Sequence, residues 1–322
     1  MATAAQWVAG SRPRTLPMAV APVLIGATAA AAAAPATQDF AYVAGAWASD
    51  FLSPGTAMVL TAVLALIVSL ALQVGVNYAN DYSDGIRGTD DARVGPMRLT
   101  GSGAAQPRQV KRAAFASFGV AALAGLGIVL LTGQWWLIGA GALCVLAAWW
   151  YTGGSKPYGY MGLGEIMVFI FFGLVATLGT TYAMVAAATV RGVSTEFPVA
   201  EALIGAVSHG LIASALLMAN NVRDIPTDRE SGKITLAVRL GDQHARLSYV
   251  LMVGLAVVLP LGLLGQSLWF LLVAISWLLC AGPARIMLNP GQTGPQLIKV
   301  LQLTGLIGIA FALTYSTALL LA

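Results

Sequence analysis

Charged side chains are scarce in this chain. Asp, Glu, Lys and Arg make up only 9% of its 322 residues, whereas 58% are hydrophobic and the mean hydropathy is +0.80. Soluble domains carry about 25% charged residues, so this composition excludes an ordinary soluble domain and indicates a membrane protein. The sequence also lacks the alternating ten-residue stretches of transmembrane strands, which leaves the α-helix as the predicted spanning element.

Cysteine is rare and the net charge is small. Cys144 and Cys280 both lie in apolar runs, so the sequence predicts neither a disulfide framework nor a cysteine-based metal site. A net charge of +4 is too small to indicate a nucleic-acid partner.

Apolar runs, in contrast, are abundant, and a bilayer needs about 20 apolar residues for each spanning helix. We count nine such runs, which predict an all-α, polytopic membrane protein. Its single domain over residues 1–322 would be a bundle of nine transmembrane helices, capped by helical cytoplasmic loops. The predicted spans cover about residues 16–34, 56–78, 113–132, 134–152, 163–187, 200–221, 246–265, 267–288 and 299–321.

The basic residues predict the orientation of these spans. With nine alternating spans, sixteen of the seventeen Lys and Arg residues lie on the side of the N-terminus, and only Arg191 lies opposite. The positive-inside rule then predicts a cytoplasmic N-terminus and an external C-terminus in the cell inner (plasma) membrane. It also places the polar stretches 79–112 and 222–245 together at the cytoplasmic face.

An acidic motif at residues 77–91, reading NYANDYSDGIRGTDD, overlaps the start of the first of these stretches. On a helix, Asn77, Asp81 and Asp84 share one face, and Asn80 lies four residues before Asp84. Carboxylates crowded in this way repel one another unless a cation neutralises them, and clustered hard oxygens suit Mg²⁺. The motif therefore predicts a magnesium site.

A second acidic motif lies in the other polar stretch. Asp224 and Asp228 again share a helical face, and Pro226 between them predicts an early turn or break. The neighbouring Arg223 and Lys233 could contact phosphate directly. A solvated loop with mixed charges is the plainer interpretation of either motif alone. Two such motifs on one face favour a Mg²⁺-bridged diphosphate site, since Mg²⁺ is usually held by a few carboxylates and by substrate phosphates.

Two further segments carry candidate residues. The link at residues 151–165 contains Lys156, which either sets topology only or reaches the diphosphate with Tyr151 or Tyr158 nearby. The glycine-rich segment at residues 95–103 carries Arg98 and could close over bound phosphate.

Taken together, these motifs resemble the UbiA superfamily of intramembrane aromatic prenyltransferases. Within it they look like the 1,4-dihydroxy-2-naphthoate polyprenyltransferase branch of the actinobacterial kind, and the resemblance covers essentially the whole chain. In the commoner motif of the superfamily, Asn-Asp-x-x-Asp-x-x-x-Asp, the last position is an acid. This chain has Gly88 there, and the roles of the following Asp90 and Asp91 stay open. The resemblance is carried by SRPRTLP at 11–17, NYANDYSDGIRGTD at 77–90, GPMRLTGSG at 95–103, YTGGSKPYGYMGLGE at 151–165 and NNVRDIPTDRESGKITLAVRLG at 220–241.

The resemblance implies a Mg²⁺-dependent transfer of a polyprenyl group from polyprenyl diphosphate to 1,4-dihydroxy-2-naphthoate. Loss of CO₂ would give demethylmenaquinone, in menaquinone biosynthesis. Its implied metal ligands are Asn77, Asp81, Asp84, Asp224 and Asp228. The candidate catalytic residues are Asp81, Asp84, Asp224, Asp228 and Lys156, and those for binding the diphosphate and its metal are Asn77, Asn80, Arg87, Arg98, Arg223, Lys233 and Tyr151.

Other functions stay open from the sequence. The same chemistry could act on another acceptor, such as 4-hydroxybenzoate, haem or a chlorophyllide. An ion-coupled transporter would carry its acids near mid-span, whereas these lie towards one face. A lipid-headgroup phosphotransferase would need an Asp-Gly-x-x-Ala-Arg run, which the sequence lacks.

Overall fold

The computed structural model describes residues 2–34, 52–87 and 97–322, and within these ranges it is helical without β-strands. The long elements follow the predicted apolar runs, which confirms the all-helical prediction. The α-helices are α1 (Ala4–Gly10), α2 (Pro17–Ala33), α3 (Pro54–Arg87), α4 (Pro107–Thr132), α5 (Leu137–Trp150), α6 (Gly164–Thr189), α7 (Val199–Glu230), α8 (Leu236–Leu263), α9 (Leu268–Met287) and α10 (Pro295–Leu321).

The number of spans that helix length supports is smaller than predicted. Seven helices, α3, α4 and α6 to α10, are long and apolar enough to cross a membrane. An eighth is obtained if α2 is counted with the segment Ala4–Thr15, from which it is bent by 51°. α5 has 14 residues, about 21 Å, against a hydrocarbon core of about 30 Å. The described helices therefore establish seven or eight candidate spans.

Helix α7 lies at the centre of the bundle and is the most buried candidate span. Small residues allow its neighbours to approach closely. A Cβ added to Gly173 of α6 would lie 2.6 Å from Cα of Gly210 in α7. Gly173 belongs to a π-helical turn, Phe169–Val175, so the two backbones pack directly at this irregular turn.

Helices α3 and α7 are longer than a bilayer requires. They contain 34 and 32 residues, about 51 and 48 Å, and their C-terminal turns carry the two acidic motifs. The chain therefore extends both helices beyond their apolar runs, at residues 79–87 and 222–230.

The predicted turn or break at Pro226 is wrong, because α7 continues through this residue to Glu230. Proline lacks one backbone donor, so it removes one bond of the helix ladder. Side chains bind nearby carbonyl groups at this end of α7: Thr227 Oγ1 donates to the Asp224 carbonyl at 3.0 Å, and Ser231 Oγ donates to the Asp228 carbonyl at 3.1 Å. The helix therefore reaches both carboxylates without interruption.

Candidate active site

The polar residues at the end of α3 are buried, as a shared interior face requires: Asn77, Asn80, Asp81 and Asp84 are each less than 9% exposed. The two asparagines form hydrogen bonds to two other segments of the chain. Asn77 Nδ2 donates to the Ser11 carbonyl at 2.8 Å, and Asn80 Oδ1 accepts from Thr152 Oγ1 at 2.7 Å. The first motif therefore fastens both the N-terminal segment and the link after α5.

Asp81 binds a third segment. Its Oδ2 accepts from the backbone N–H of Leu99 at 2.7 Å, and its Oδ1 accepts from that of Thr100 at 2.8 Å. Both carboxylate oxygens thus contact the loop before α4. The role of Asp81 as a metal ligand stays a prediction.

Asp84, one turn further along α3, contacts the side chains of Tyr160 and Arg98. Tyr160 donates its hydroxyl to Asp84 Oδ1 at 2.5 Å. Arg98 lies 3.4 Å from Asp84 Oδ2. Arg98 therefore lies beside the first motif.

The second motif is buried in the same way. Arg223 donates two hydrogen bonds of 2.7 Å to Asp224, from Nε to Oδ1 and from one terminal nitrogen to Oδ2. Lys233 lies 3.6 Å from Asp228 Oδ1. Each acid of this motif therefore has a basic neighbour, Arg223 or Lys233, that the sequence predicts as a diphosphate contact.

Tyr160 connects the two motifs, and sequence analysis missed it. While its hydroxyl binds Asp84, its ring lies 5.2 Å from Lys233 Nζ, and Lys233 contacts Asp228. The Tyr160 carbonyl also accepts from the Ile234 N–H at 3.1 Å. The two acidic helix ends thus belong to one site, joined through two side chains.

Glu165 makes a further buried contact beside the second motif. Its Oε1 accepts from Asn221 Nδ2 at 2.8 Å, and Asn221 lies on α7, three residues before Asp224. The opening turn of α6 is thereby tied to the face of α7 that carries the acids. The sequence marks Glu165 as an acid at the head of a span, whereas Tyr160 stands in no spacing pattern and is identified only by the packing of the link.

The remaining predicted residues are Arg87 at the end of α3 and Tyr151 and Lys156 in the link at residues 151–165. Arg87 donates to the carbonyl groups of Thr152, at 2.5 Å, and of Gly154. The Tyr151 ring packs edge-on against Tyr158, with ring centroids 5.5 Å apart. Lys156 is exposed, and no hydrogen bond or ion pair joins it to either motif within the described ranges.

Tyr158 attaches this link to α5 through a hydrogen bond. Burial raises the pKa of its phenol, which therefore stays protonated and donates to the Ala147 carbonyl at 2.7 Å.

Asp90, Asp91 and the first two residues of the 95–103 segment lie outside the described residues.

The carboxylates of the site fit Mg²⁺ in chemical type. Asp84, Asp224 and Asp228 offer hard oxygen atoms, and in this structure each is paired with an Arg or Lys side chain. Among residues 2–34, 52–87 and 97–322, no three acid, His or Cys side chains stand close enough to hold a metal by themselves. Such a donor set suits Mg²⁺ whose coordination is completed by substrate phosphates and water.

The long apolar helices and the buried acidic site between two helix ends define a multi-pass helical membrane protein with its polar chemistry at one end. The chain belongs to the UbiA prenyltransferase family, whose profile matches residues 19–295.

Similar proteins extend this family assignment. A 1,4-dihydroxy-2-naphthoate octaprenyltransferase from Mycobacterium tuberculosis is 48% identical over 322 residues, which covers 99% of this chain and 98% of the relative. An Escherichia coli protein of the same name is 34% identical, covering 95% of this chain and 94% of its own.

Solved structures share the fold. A UbiA homologue from Aeropyrum pernix superposes with a TM-score of 0.65 at 14% identity, covering 96% of this chain and 98% of its own. A UbiA homologue from Archaeoglobus fulgidus bound to DMAPP and Mg²⁺ gives a TM-score of 0.59 at 16% identity, covering 98% and 99%.

Proposed function

We propose that this protein transfers a polyprenyl group from polyprenyl diphosphate to 1,4-dihydroxy-2-naphthoate in a Mg²⁺-dependent reaction. Diphosphate is the leaving group, and loss of CO₂ from the acceptor then gives the quinol form of demethylmenaquinone. The observation that carries the proposal is the chain of contacts from Asp84 through Tyr160 and Lys233 to Asp228. Full-length relatives bearing the name of this activity support the choice of acceptor.

In this proposal the carboxylates hold the metal and the basic residues hold the substrate. Asp84, Asp224 and Asp228 would be metal ligands, and Asn77 would be a further one. Asp81, which the sequence also predicts as a ligand, binds backbone N–H groups with both of its oxygens. The basic and polar side chains around them, Asn80, Arg87, Arg98, Arg223, Lys233, Tyr151 and Lys156, would bind the diphosphate or shape its surroundings. Arg223 could release Asp224 and bind phosphate with the same two nitrogen donors.

Bound Mg²⁺ would neutralise the diphosphate and favour its departure. The protein would hold the diphosphate at the two helix ends while the apolar interior shields the allylic carbon from water. The electron-rich ring would attack at its carboxylate-bearing carbon, and the carboxyl group would leave as CO₂. The homologue bound to DMAPP and Mg²⁺ supports the pairing of metal and prenyl diphosphate on this fold.

We further propose one transmembrane domain of nine spans in the plasma membrane. The N-terminus and the acidic site would face the cytoplasm, and the C-terminus would lie outside. The distribution of sixteen Lys and Arg residues against one supports this orientation, and each predicted apolar run coincides with one of the helices α2 to α10.

A comparison of acceptors tests the proposed reaction. The purified full-length protein receives geranylgeranyl diphosphate and Mg²⁺ with 1,4-dihydroxy-2-naphthoate, 4-hydroxybenzoate or no acceptor, and products are resolved by mass spectrometry. The expected product with the naphthoate is the prenylated, decarboxylated quinol, together with ¹⁴CO₂ from carboxyl-labelled acceptor. Turnover with 4-hydroxybenzoate but not with the naphthoate would contradict the proposed acceptor. It would indicate a prenyltransferase of the same family that acts on 4-hydroxybenzoate.

A further inference from the structure

Asp81 contacts backbone rather than the other side chains of the site. Its carboxylate is 1% exposed and accepts hydrogen bonds from two successive backbone N–H groups, those of Leu99 and Thr100, at 2.7 and 2.8 Å. Hydrogen bonds to an ionised acceptor are short and strong. Asp81 therefore fastens this segment of the chain to α3.

The fastened segment, residues 98–105, is a compact loop with its own hydrogen bonds, and we call it the Arg98 loop. Ser102 N–H donates to the Arg98 carbonyl at 3.1 Å, and Ala105 N–H donates to the Leu99 carbonyl at 3.0 Å. The Leu99 side chain is fully buried and packs in a cluster with Tyr78. These contacts make the loop one compact unit. Asp81 attaches its backbone to α3, in addition to the contact between the Arg98 side chain and Asp84.

The attachment determines where Arg98 stands. Asp81 and Asp84 lie one turn apart on α3, and they contact adjacent parts of the loop: Asp81 binds the amides of Leu99 and Thr100, while Arg98 lies 3.4 Å from Asp84. If the amides leave Asp81, the backbone of Arg98 loses its fixed position beside Asp84.

Gly85 shows how closely the loop rests on the helix. A Cβ added to Gly85 would lie 2.6 Å from Cβ of Thr100, which real Cβ atoms essentially never do. Gly85→Ala therefore offers a way to displace the Arg98 loop while every carboxylate is kept.

We propose that Asp81 is a positioning residue that holds the Arg98 loop against α3, so that Arg98 stands beside Asp84 and can contact the diphosphate. In this role Asp81 is not a metal ligand, unlike Asp84. The part played by Arg98 rests on the proposed function, whereas the attachment of the loop does not.

The first test needs no substrate. Hydrogen–deuterium exchange is measured on the full-length protein in lipid nanodiscs, for the parent, Asp81→Asn, Gly85→Ala and Asp84→Asn. In Asp81→Asn and Gly85→Ala we expect the amides of the Arg98 loop to exchange roughly ten to a hundred times faster, because a bond to a charged acceptor is lost or displaced. Asp84→Asn keeps the slow exchange, and so does α7 in all variants. Unchanged exchange of the loop in Asp81→Asn would overturn the attachment.

The second test separates positioning from metal binding. At saturating diphosphate, we expect the Mg²⁺ concentration for half-maximal turnover to change by less than about twofold in Asp81→Asn and Gly85→Ala, whereas loss of a ligand in Asp84→Asn raises it at least about tenfold. Asp81→Asn and Arg98→Ala should raise KM for the diphosphate by similar factors. The double variant should be within about twofold of Arg98→Ala, since two changes in one chain of contacts are not additive.

An increased Mg²⁺ requirement in Asp81→Asn that equals that of Asp84→Asn, with the loop amides still protected, would make Asp81 a ligand and overturn the proposal. If the parent protein shows no prenyl transfer to any acceptor, the proposed function fails. The exchange measurement still decides the attachment in that case.

Discussion

At the scale of single residues, Tyr160 makes the contact with the widest consequence for the site. Its hydroxyl binds Asp84 of α3, and its ring lies against Lys233, which binds Asp228 of α7. One aromatic side chain on a connecting segment thus fixes the spacing of carboxylates from two helices. The sequence could not indicate this, because Tyr160 is one of four tyrosines at residues 151–182 and has no periodic relation to either motif.

Tyr160→Phe is expected to lower kcat/KM by about tenfold, the size of one hydrogen bond to a charged group. The ring and its contact with Lys233 remain, so the protein should keep its fold. Tyr182→Phe is the matched control, because it removes a phenol that donates to Gln134 Oε1 at 2.8 Å, away from both motifs. Steady-state kinetics of the two variants check this, and equal losses in both would contradict the role of Tyr160.

Asp228→Asn is expected to reduce turnover by at least about a hundredfold, as the loss of one electrostatic group at a reacting centre does. Asp242→Asn serves as control, because Asp242 is 47% exposed and its pair with Arg246 contributes about 1 kcal/mol or less. Both variants are assayed at saturating Mg²⁺ after size-exclusion chromatography. Near-parental turnover of Asp228→Asn would refute its assignment as a metal ligand.

At the scale of elements, the π-helical turn of α6 packs with its backbone directly against α7. Gly173→Ala places a methyl group 2.6 Å from Gly210 Cα and 2.7 Å from the Ala206 carbonyl oxygen. We expect a loss of about 1–3 kcal/mol in the free energy of unfolding from overpacking, seen as a lower melting temperature in detergent. Gly179→Ala on the same helix meets no atom within 4 Å and should leave it unchanged or raise it. Equal melting temperatures would contradict the close packing.

The sequence predicted that these elements are helices, but it did not predict where two of them end. Apolar runs located α2 to α10, since burial in lipid requires a hydrophobic surface. They placed the ends of the second and sixth spans at residues 78 and 221, whereas α3 and α7 continue to Arg87 and Glu230. The extra turns are polar, so hydropathy could not assign them to a helix. Contacts with segments distant in sequence, such as the Arg98 loop against Asp81, bury them, and no local pattern records such contacts.

At the scale of the whole molecule, the proposed orientation has a direct test. With Cys144 and Cys280 replaced by Ala, single cysteines are introduced as Ser194→Cys, between α6 and α7, and Thr293→Cys, between α9 and α10; both positions are exposed. A membrane-impermeant maleimide added to intact cells should label position 194 and not 293. Inside-out vesicles should reverse this, because nine spans place the two segments on opposite sides. Labelling of both positions from one side would contradict the nine-span topology.

The length of α3 has a consequence for how the protein meets its two substrates. The helix exceeds the hydrocarbon thickness by about 20 Å. The four buried polar residues of the first motif, Asn77, Asn80, Asp81 and Asp84, lie in that excess. In the proposed orientation, a water-soluble acceptor arrives from the cytosol, while a long-chain diphosphate arrives by diffusion within the bilayer. The effective concentration of the acceptor is therefore its amount per volume of cytosol, whereas that of the prenyl donor is its amount per lipid molecule. Added inert lipid would dilute only the donor, so membrane composition would control the rate even at a constant bulk amount of both substrates.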